Sequence, residues 1–266
     1  MTAPIRVALT GAAGQMGREV VRAVTAAPDM ALVAAVAPRH VGQDAGTVAG
    51  LPALGLPLRD DLEAALGETR PHVLVDFTRP DTVHGVAEAA LAAGVRPVIG
   101  TTGLTASELG ALEAAAQARG LGVLVAPNFA LGAILMMRFA AEAARYFDHA
   151  EIVELHHDRK RDAPSGTALK TVEAMRADRA DFHPPAIAGE ETLPGARGGE
   201  AAGIRVHSVR LPGLLAHQEV LLGGEGQLLT IRHDAFSRAC YMPGVLLGIR
   251  RILDRTGLVH GLEHLL

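Results

Sequence analysis

Tryptophan is absent from this chain, and only two tyrosines and six phenylalanines occur among its 266 residues. A core so poor in aromatics must be built from small and branched aliphatics, which suits a parallel sheet covered by helices. Hydrophobic residues still make up 49% of the chain, enough at this length for one large domain or two modest ones. Cysteine occurs once, at Cys240, so no disulfide can close within the chain. A reducing, cytoplasmic setting is expected. A large excess of charge of one sign is also missing: the formal net charge is −4, with no acidic or basic tail. Neither nucleic acid nor an anionic membrane is an expected partner. Long apolar runs are missing too. The longest, near Leu121 to Met137, is broken by Pro127 and Asn128 and ended by Arg138, and reads as a buried strand feeding a core helix. The start, Met1-Thr2-Ala3-Pro4, leads straight into strand-like Ile5–Leu9, and no signal peptide is expected.

What is present alternates. Strand-like runs at Ile5–Leu9, Ala31–Val36, Val73–Asp76, Pro97–Ile99 and Gly122–Ala126 are separated by helix-like runs at Gln15–Ala27, Asp61–Leu66, Thr82–Ala93 and Thr105–Arg119. That order predicts an α/β, Rossmann-like, doubly wound parallel sheet. After Asn128 the texture changes. A helix over Leu131–Phe147, a strand over Glu151–Leu155 and a helix from Gly166 to Arg179 are predicted. Residues 182–203 read as a long loop. Strands near Ile204–Leu211, His217–Gly223 and Gln227–His233 are expected to form an antiparallel face, and a helix near Val245–Asp254 follows. The predicted division is a dinucleotide-binding domain of residues 1–128 plus about 236–266, with an α+β domain of residues 129–235 set into it.

The turn after the first strand reads Gly11-Ala12-Ala13-Gly14-Gln15-Met16-Gly17. Glycines permit a tight turn and a close backbone approach, and free N–H groups at the following helix start favour a pyrophosphate. The spacing is G-x-x-G-x-x-G rather than the commoner G-x-G-x-x-G, but its place on the first strand of an alternating pattern points to a dinucleotide. After the second strand the chain reads Ala37-Pro38-Arg39-His40, with no acidic residue to hold a ribose 2′-hydroxyl. Arg39 is either a reader of the 2′-phosphate of NADP or a solvated loop residue. The balance favours NADPH, with NADH tolerated. Gly100-Thr101-Thr102-Gly103 and Ala126-Pro127-Asn128-Phe129 follow the fourth and fifth strands, where such sheets bind ligands.

Lysine is scarce: Lys160 and Lys170 are the only two among 25 Lys and Arg residues. A lysine kept between Arg159 and Arg161 suggests a place where a compact ammonium is needed. Just downstream, Ser165-Gly166-Thr167 opens a helix behind Pro164, either as a simple cap or as a cradle for a carboxylate or phosphate. His156 and His157 end the preceding strand. Adjacent strand positions face opposite ways, so the pair does not suit one metal ion, and no other ligand cluster points to a metal. One of the two could face a ligand as a proton donor.

The stretch Glu151-Ile152-Val153-Glu154-Leu155-His156-His157-Asp158-Arg159-Lys160-Arg161-Asp162-Ala163-Pro164-Ser165-Gly166-Thr167-Ala168 resembles the signature of the dihydrodipicolinate reductase family, enzymes of diaminopimelate and lysine synthesis. The glycine turn, Asp76-Phe77-Thr78, Gly100-Thr101-Thr102-Gly103, Asn128-Phe129, His207-Ser208-Val209-Arg210, Gly213 and His217 are similar to that family in the same order, so the resemblance spans essentially the whole chain. It implies NAD(P)H-dependent reduction of 4-hydroxy-tetrahydrodipicolinate to tetrahydrodipicolinate with loss of water. His156 corresponds to the proton donor and Lys160 to a second catalytic cation. His157, Ser165, Gly166 and Thr167 correspond to substrate-carboxylate binders. Gly11, Ala12, Ala13, Gly14, Gln15 and Met16 correspond to cofactor contacts, as do Gly100, Thr101, Thr102, Ala126, Pro127, Asn128 and Phe129. The family's acidic residue after the second strand is replaced here by Ala37, which weakens any NADH preference. The resemblance also implies a homotetramer built through the second domain's sheet. Hydride transfer needs the two carbons close and aligned, so a hinge is expected near Asn128 and near Ala235.

Other readings fit less well. Aspartate-semialdehyde dehydrogenase needs a cysteine nucleophile, and Cys240 sits in Arg238-Ala239-Cys240-Tyr241-Met242 with no base beside it. Homoserine dehydrogenase would place a lysine in a different motif. A dinucleotide-sensing regulator without turnover would need no histidine–lysine pair.

Overall fold

A computed structural model describes residues 3–179, 182–183 and 191–266. In chain order the first elements are β1 (Ile5–Thr10), α1 (Gln15–Ala26), β2 (Met30–Val36), α2 (Ala45–Val48), α3 (Leu62–Thr69), β3 (Val73–Asp76), α4 (Val83–Ala92), β4 (Arg96–Ile99), α5 (Ala106–Arg119) and β5 (Gly122–Val125). Then come α6 (Leu131–Ala144), β6 (His149–His156), α7 (Gly166–Asp178), β7 (Gly199–Ala201), β8 (Ile204–Arg210), β9 (Ala216–Gly224), β10 (Gln227–Ala235), α8 (Met242–Arg251) and β11 (Gly257–His260). They form two compact units: Met1–Ala130 with Tyr241–Leu266, and Leu131–Cys240.

The first unit carries a six-stranded sheet in the order β11-β5-β4-β3-β1-β2, with every pairing parallel. β3 and β5 are buried at every position, which explains why they read as unbroken apolar runs. Helix starts follow local chemistry. Asp61 accepts from the Ala64 N–H at 2.9 Å, and Thr105 forms a capping box with Glu108. β2 lies on one side of β1 and β3 on the other. The winding therefore reverses between β1 and β3, and the carboxyl ends of those two strands flank the switch point where such sheets bind ligands. Thr10 and Asp76 are register partners there.

The turn from β1 into α1 depends on two glycines. Gly11 has φ +73°, and a Cβ on it would lie 2.2 Å from the Phe77 carbonyl oxygen. Gly17 lets α1 press against the turn: a Cβ there would lie 2.1 Å from the Gly11 oxygen and 2.8 Å from the Ala12 Cα.

The second unit carries a five-stranded sheet in the order β10-β9-β6-β8-β7. The sequence predicted an antiparallel face, and this is corrected: β9 and β10 run antiparallel, as do β6 and β9, but β8 lies parallel to β6. The reason is topological. α7 intervenes between β6 and β8, so the chain returns in the original direction, as a crossover requires. Ala150 and Ile152 of β6, Ile204 and Val206 of β8, and Val220 and Leu222 of β9 bury one sheet face. Met136 and Ala140 of α6 and Val172 and Met175 of α7 pack with them.

Two strands escaped the sequence reading. β7 lies within the stretch expected to be loop, of which residues 184–190 fall outside the described residues. β11 is four residues long and opens on a glycine, too short for a periodic signal, yet it extends the first sheet beside β5. The strand predicted over Glu151–Leu155 spans His149–His156, which places His156 inside the sheet. The last helix begins three residues earlier than expected, at Met242, and gives way to a 3-10 turn at Ile252.

Gly17→Ala is expected to lower stability by about 1–3 kcal/mol, the usual cost of forcing atoms into a filled site, because both atoms it meets are backbone. Urea denaturation of the variant against the parent chain checks this.

Candidate functional site

A candidate dinucleotide site of the first unit lies at the carboxyl ends of its sheet's strands. Gly11, Ala12, Ala13, Gly14, Gln15 and Met16 span the end of the β1–α1 turn and the start of α1. The turn is held by the Gly14 N–H on the Gly11 oxygen at 2.9 Å and the Ala12 N–H on the Val36 oxygen at 3.2 Å. Gly14 is the N-cap of α1 and offers no side-chain acceptor, and the first turn holds no acidic residue. The leading N–H groups of α1 therefore remain donors for an anion. This cradle fits a pyrophosphate. Gly100, Thr101 and Thr102 follow β4, while Ala126, Pro127, Asn128 and Phe129 follow β5. The Asn128 carboxamide oxygen accepts from the Ala130 N–H at 2.9 Å, which fixes that turn. Arg39 is exposed three residues beyond β2, in a loop whose start is held by the Ala37 N–H on the Arg59 oxygen.

Sequence reasoning left one residue of this site without a role. Asp76 is 1% exposed and ends β3 at the switch point. Its carboxylate accepts from the hydroxyls of Thr10 at 2.8 Å, Thr78 at 2.8 Å and Thr101 at 2.6 Å. One side chain thus ties together the ends of β1, β3 and β4. The signal was the apolar strand Val73–Val75 ending on an acid, which no hydroxyl spacing could interpret.

The second unit carries a separate cluster of polar groups. Glu154 and His156 stand two positions apart on β6 and so share a face of the sheet. Glu154 is fully buried. One of its oxygens accepts from His156 Nδ1 at 2.5 Å and from Arg210 Nη1 at 3.0 Å. The other accepts from Arg210 Nη2 at 2.7 Å and from the Ser165 N–H at 3.2 Å. Burial alone would raise its pKa, but the donors His156, Arg210 and Ser208 outweigh that and hold it down at about 2. Glu154 is therefore an anion in any working buffer.

The loop between β6 and α7 carries the remaining predicted residues. Lys160 Nζ meets both Asp162 oxygens, at 2.8 and 2.9 Å, and this hydrogen bond lowers the Asp162 pKa against the opposing effect of burial. Asp162 is exposed, so a substrate carboxylate can compete for the ammonium. His157 follows the strand, and its Nδ1 is enclosed without a hydrogen-bond partner among the described residues. Ser165 caps α7, its hydroxyl accepting from the Ala168 N–H at 3.1 Å. Its own N–H is taken by Glu154. The open donors at this helix start are therefore Gly166 and Thr167, a smaller cradle than the sequence implied. The face-sharing of Glu154 and His156 was readable from their spacing. Arg210, 56 residues away, was not.

No group of three or more His, Cys, Asp or Glu side chains suited to a metal exists among the described residues. No helix among them is long and apolar enough to cross a membrane.

Comparison with known proteins agrees with this construction. Residues 5–129 match the sequence family described as dihydrodipicolinate reductase, N-terminus, and residues 132–266 match dihydrodipicolinate reductase, C-terminus. The chain is 53% identical over 268 residues to the 4-hydroxy-tetrahydrodipicolinate reductase of Moorella thermoacetica, covering 100% of this chain and 99% of that one. It is 52% identical to the enzyme of the same name from a Synechocystis species, covering 98% of each. The solved structure of dipicolinate-bound dihydrodipicolinate reductase from Paenisporosarcina sp. TG-14 superposes with a TM-score of 0.89 at 45% identity, over 99% of this chain and 100% of the other. An amine dehydrogenase from Mycobacterium smegmatis, at a TM-score of 0.69 and 17% identity, shares the fold. Sheet, glycine turn and second unit together define an NAD(P)H-dependent oxidoreductase of the Rossmann type. Within that class, the chain belongs to the dihydrodipicolinate reductase family.

Asp76→Ala is expected to leave the Thr78 and Thr101 hydroxyls without their acceptor, while Thr10 keeps the Val75 oxygen at 3.3 Å, and to cost several kcal/mol, at about 1–3 kcal/mol per abandoned group. Thermal unfolding, with NADPH titration on the folded fraction, checks both the stability loss and the loosening of the cofactor site.

Proposed function

We propose that this protein reduces 4-hydroxy-tetrahydrodipicolinate to tetrahydrodipicolinate, with loss of water, at the expense of NADPH or NADH, in diaminopimelate and lysine biosynthesis. The observation that carries the reading is the cluster at the start of α7: a histidine held on a buried carboxylate, a lysine, and open helix N–H groups, all between residues 154 and 167. That set recognises a small cyclic dicarboxylate and can protonate it. The relatives named above match this chain over essentially their full length at about half identity.

Lys160 and the Gly166 and Thr167 N–H groups bind one carboxylate, with Ser165 shaping the turn. His157 orients the ring. When bound, the reduced nicotinamide supplies a hydride to the ring carbon freed as water leaves. His156, as imidazolium, gives its proton to the neighbouring carbon, so the ring double bond is reduced with one hydride and one proton. The β1–α1 turn holds the pyrophosphate, and Thr101, Thr102 and residues 126–129 border the nicotinamide end. Arg39 reads a 2′-phosphate, which favours NADPH while tolerating NADH. The chain works in the cytoplasm and assembles as a homotetramer. Supporting the assembly, the outer face of the second sheet carries Val153, Leu155 and Leu221, away from the face that packs on α6 and α7, and Leu228 of its edge strand is 66% exposed.

The decisive assay follows NADPH and NADH absorbance with enzymatically generated substrate. Turnover is expected with both. His156→Ala and Lys160→Ala are expected to cut kcat by roughly 100-fold or more, the range of positioned acid–base groups, with little change in cofactor affinity. Equal loss of cofactor affinity would remove the assigned roles. Pyridine-2,6-dicarboxylate, the planar diacid named with the Paenisporosarcina structure, is expected to compete with substrate.

Arg39→Ala is expected to weaken NADPH by about tenfold or more while sparing NADH, the scale of one charged hydrogen-bonding contact. Equal weakening of both cofactors would return Arg39 to the role of a solvated loop residue.

A further inference from the structure

We infer that Glu154, with Arg210 as its counter-ion, is a positioning residue that makes Nε2 the working nitrogen of His156 and pins the loop carrying Lys160. The inference rests on the function proposed above and adds a residue pair to it.

Glu154 is surrounded by donors alone. Two arms of Arg210, the Ser165 N–H and His156 Nδ1 converge on its two oxygens. A carboxylate accepts and cannot donate, so the Nδ1 of His156 must carry hydrogen. A neutral imidazole has one donor and one acceptor nitrogen, and its second-side partner fixes which is which. Nε2 is then the acceptor that takes up a proton and returns it to a ligand. Among the described residues nothing hydrogen-bonds Nε2, so the face of the ring that does chemistry is kept clear.

Arg210 extends the same device into the loop. Its Nη2 also donates to the Asp162 carbonyl oxygen at 2.6 Å, while Lys160 Nζ sits on the Asp162 carboxylate. The loop is thereby held at two points, Asp162 and Ser165, by one buried ion pair. Stability alone does not account for the arrangement. A buried ion pair contributes little net stability over apolar residues of the same volume. Here, moreover, the Arg210 Nε is enclosed without an acceptor among the described residues, a cost that an apolar pair would not carry. The arrangement makes sense as orientation of His156 and of the Lys160 loop.

Glu154→Gln separates orientation from bulk. The amide brings a donor to a place where every neighbour donates. Arg210 and the Ser165 N–H cannot become acceptors; the Ser208 hydroxyl and His156 can, the latter by moving its hydrogen to Nε2, so Glu154→Gln is read in a Ser208→Ala background that removes the other acceptor. Long-range 1H–15N spectra of histidine-labelled protein, followed upward in pH until the His156 ring is neutral, read this directly, with the His156 signal assigned from His156→Asn. The parent chain is expected to show the Nδ1–H form and Glu154→Gln the Nε2–H form. Turnover of Glu154→Gln is expected to fall roughly 100-fold in kcat with the KM for NADPH nearly unchanged, the scale of a mispositioned acid–base group. Glu154→Asp, which keeps a carboxylate, is expected to retain the Nδ1–H form and recover most of that loss. An Nε2–H form in the parent chain overturns the inference without any variant. So does a folded Glu154→Gln protein with parental tautomer or parental kcat. The tautomer is read without substrate. A parent chain that shows the Nδ1–H form but never consumes NADPH defeats the proposed reaction while leaving the Glu154–His156 assignment standing.

Discussion

The second unit is organised around one carboxylate that water does not reach. Glu154 must leave water to sit beneath β6 and α7, and desolvation of an anion is tolerated only when its lone pairs are filled. Donors from β6, β8 and the cap of α7 fill them, the Ser208 hydroxyl among them. The parallel pairing of β8 with β6 brings Arg210 level with His156, and the entry into α7 brings Ser165 within reach. Loop path and ring orientation thus converge on one electrostatic demand, which the sheet topology makes it possible to meet. The candidate proton donor is oriented as a by-product of satisfying it.

The first unit solves a related problem without cations. Asp76 is equally buried, but its acceptors are matched by threonine hydroxyls, which fix strand ends without placing a positive charge beside an anionic cofactor. A guanidinium at that point would compete with the α1 N-terminus for the pyrophosphate. Hydroxyls hold the same geometry and leave the helix start as the local attractor of negative charge.

The sequence made the first sheet legible because both faces of its strands are buried: a buried strand must be apolar, and helices of ordinary length separate the runs. The glycine turn, the residues after β4 and β5, and the cluster from His156 to Thr167 were singled out on local chemistry alone. What was not readable was non-local. β11 is four residues long and gains its place only by pairing with β5. The direction of β8 depends on the crossover through α7, and Arg210 meets Glu154 across 56 positions. Neither periodicity nor spacing encodes such a meeting. The cradle was over-read for a similar reason, because nothing in Pro-Ser-Gly-Thr reveals that Glu154 takes the serine's N–H.

The discontinuity of the first unit also bears on biosynthesis. Its sheet edge at β5 is covered by a strand that follows the whole of the second unit in the chain. A ribosome delivers residues 131–240 before it delivers β11, so the nascent nucleotide domain must wait with β5 as a bare strand edge while its insert emerges. An unpaired parallel edge is a surface on which strands of other chains can add. The interval between synthesis of residue 125 and residue 260 is therefore the period of greatest exposure to misassembly, and prompt collapse of the inserted unit shortens no part of it.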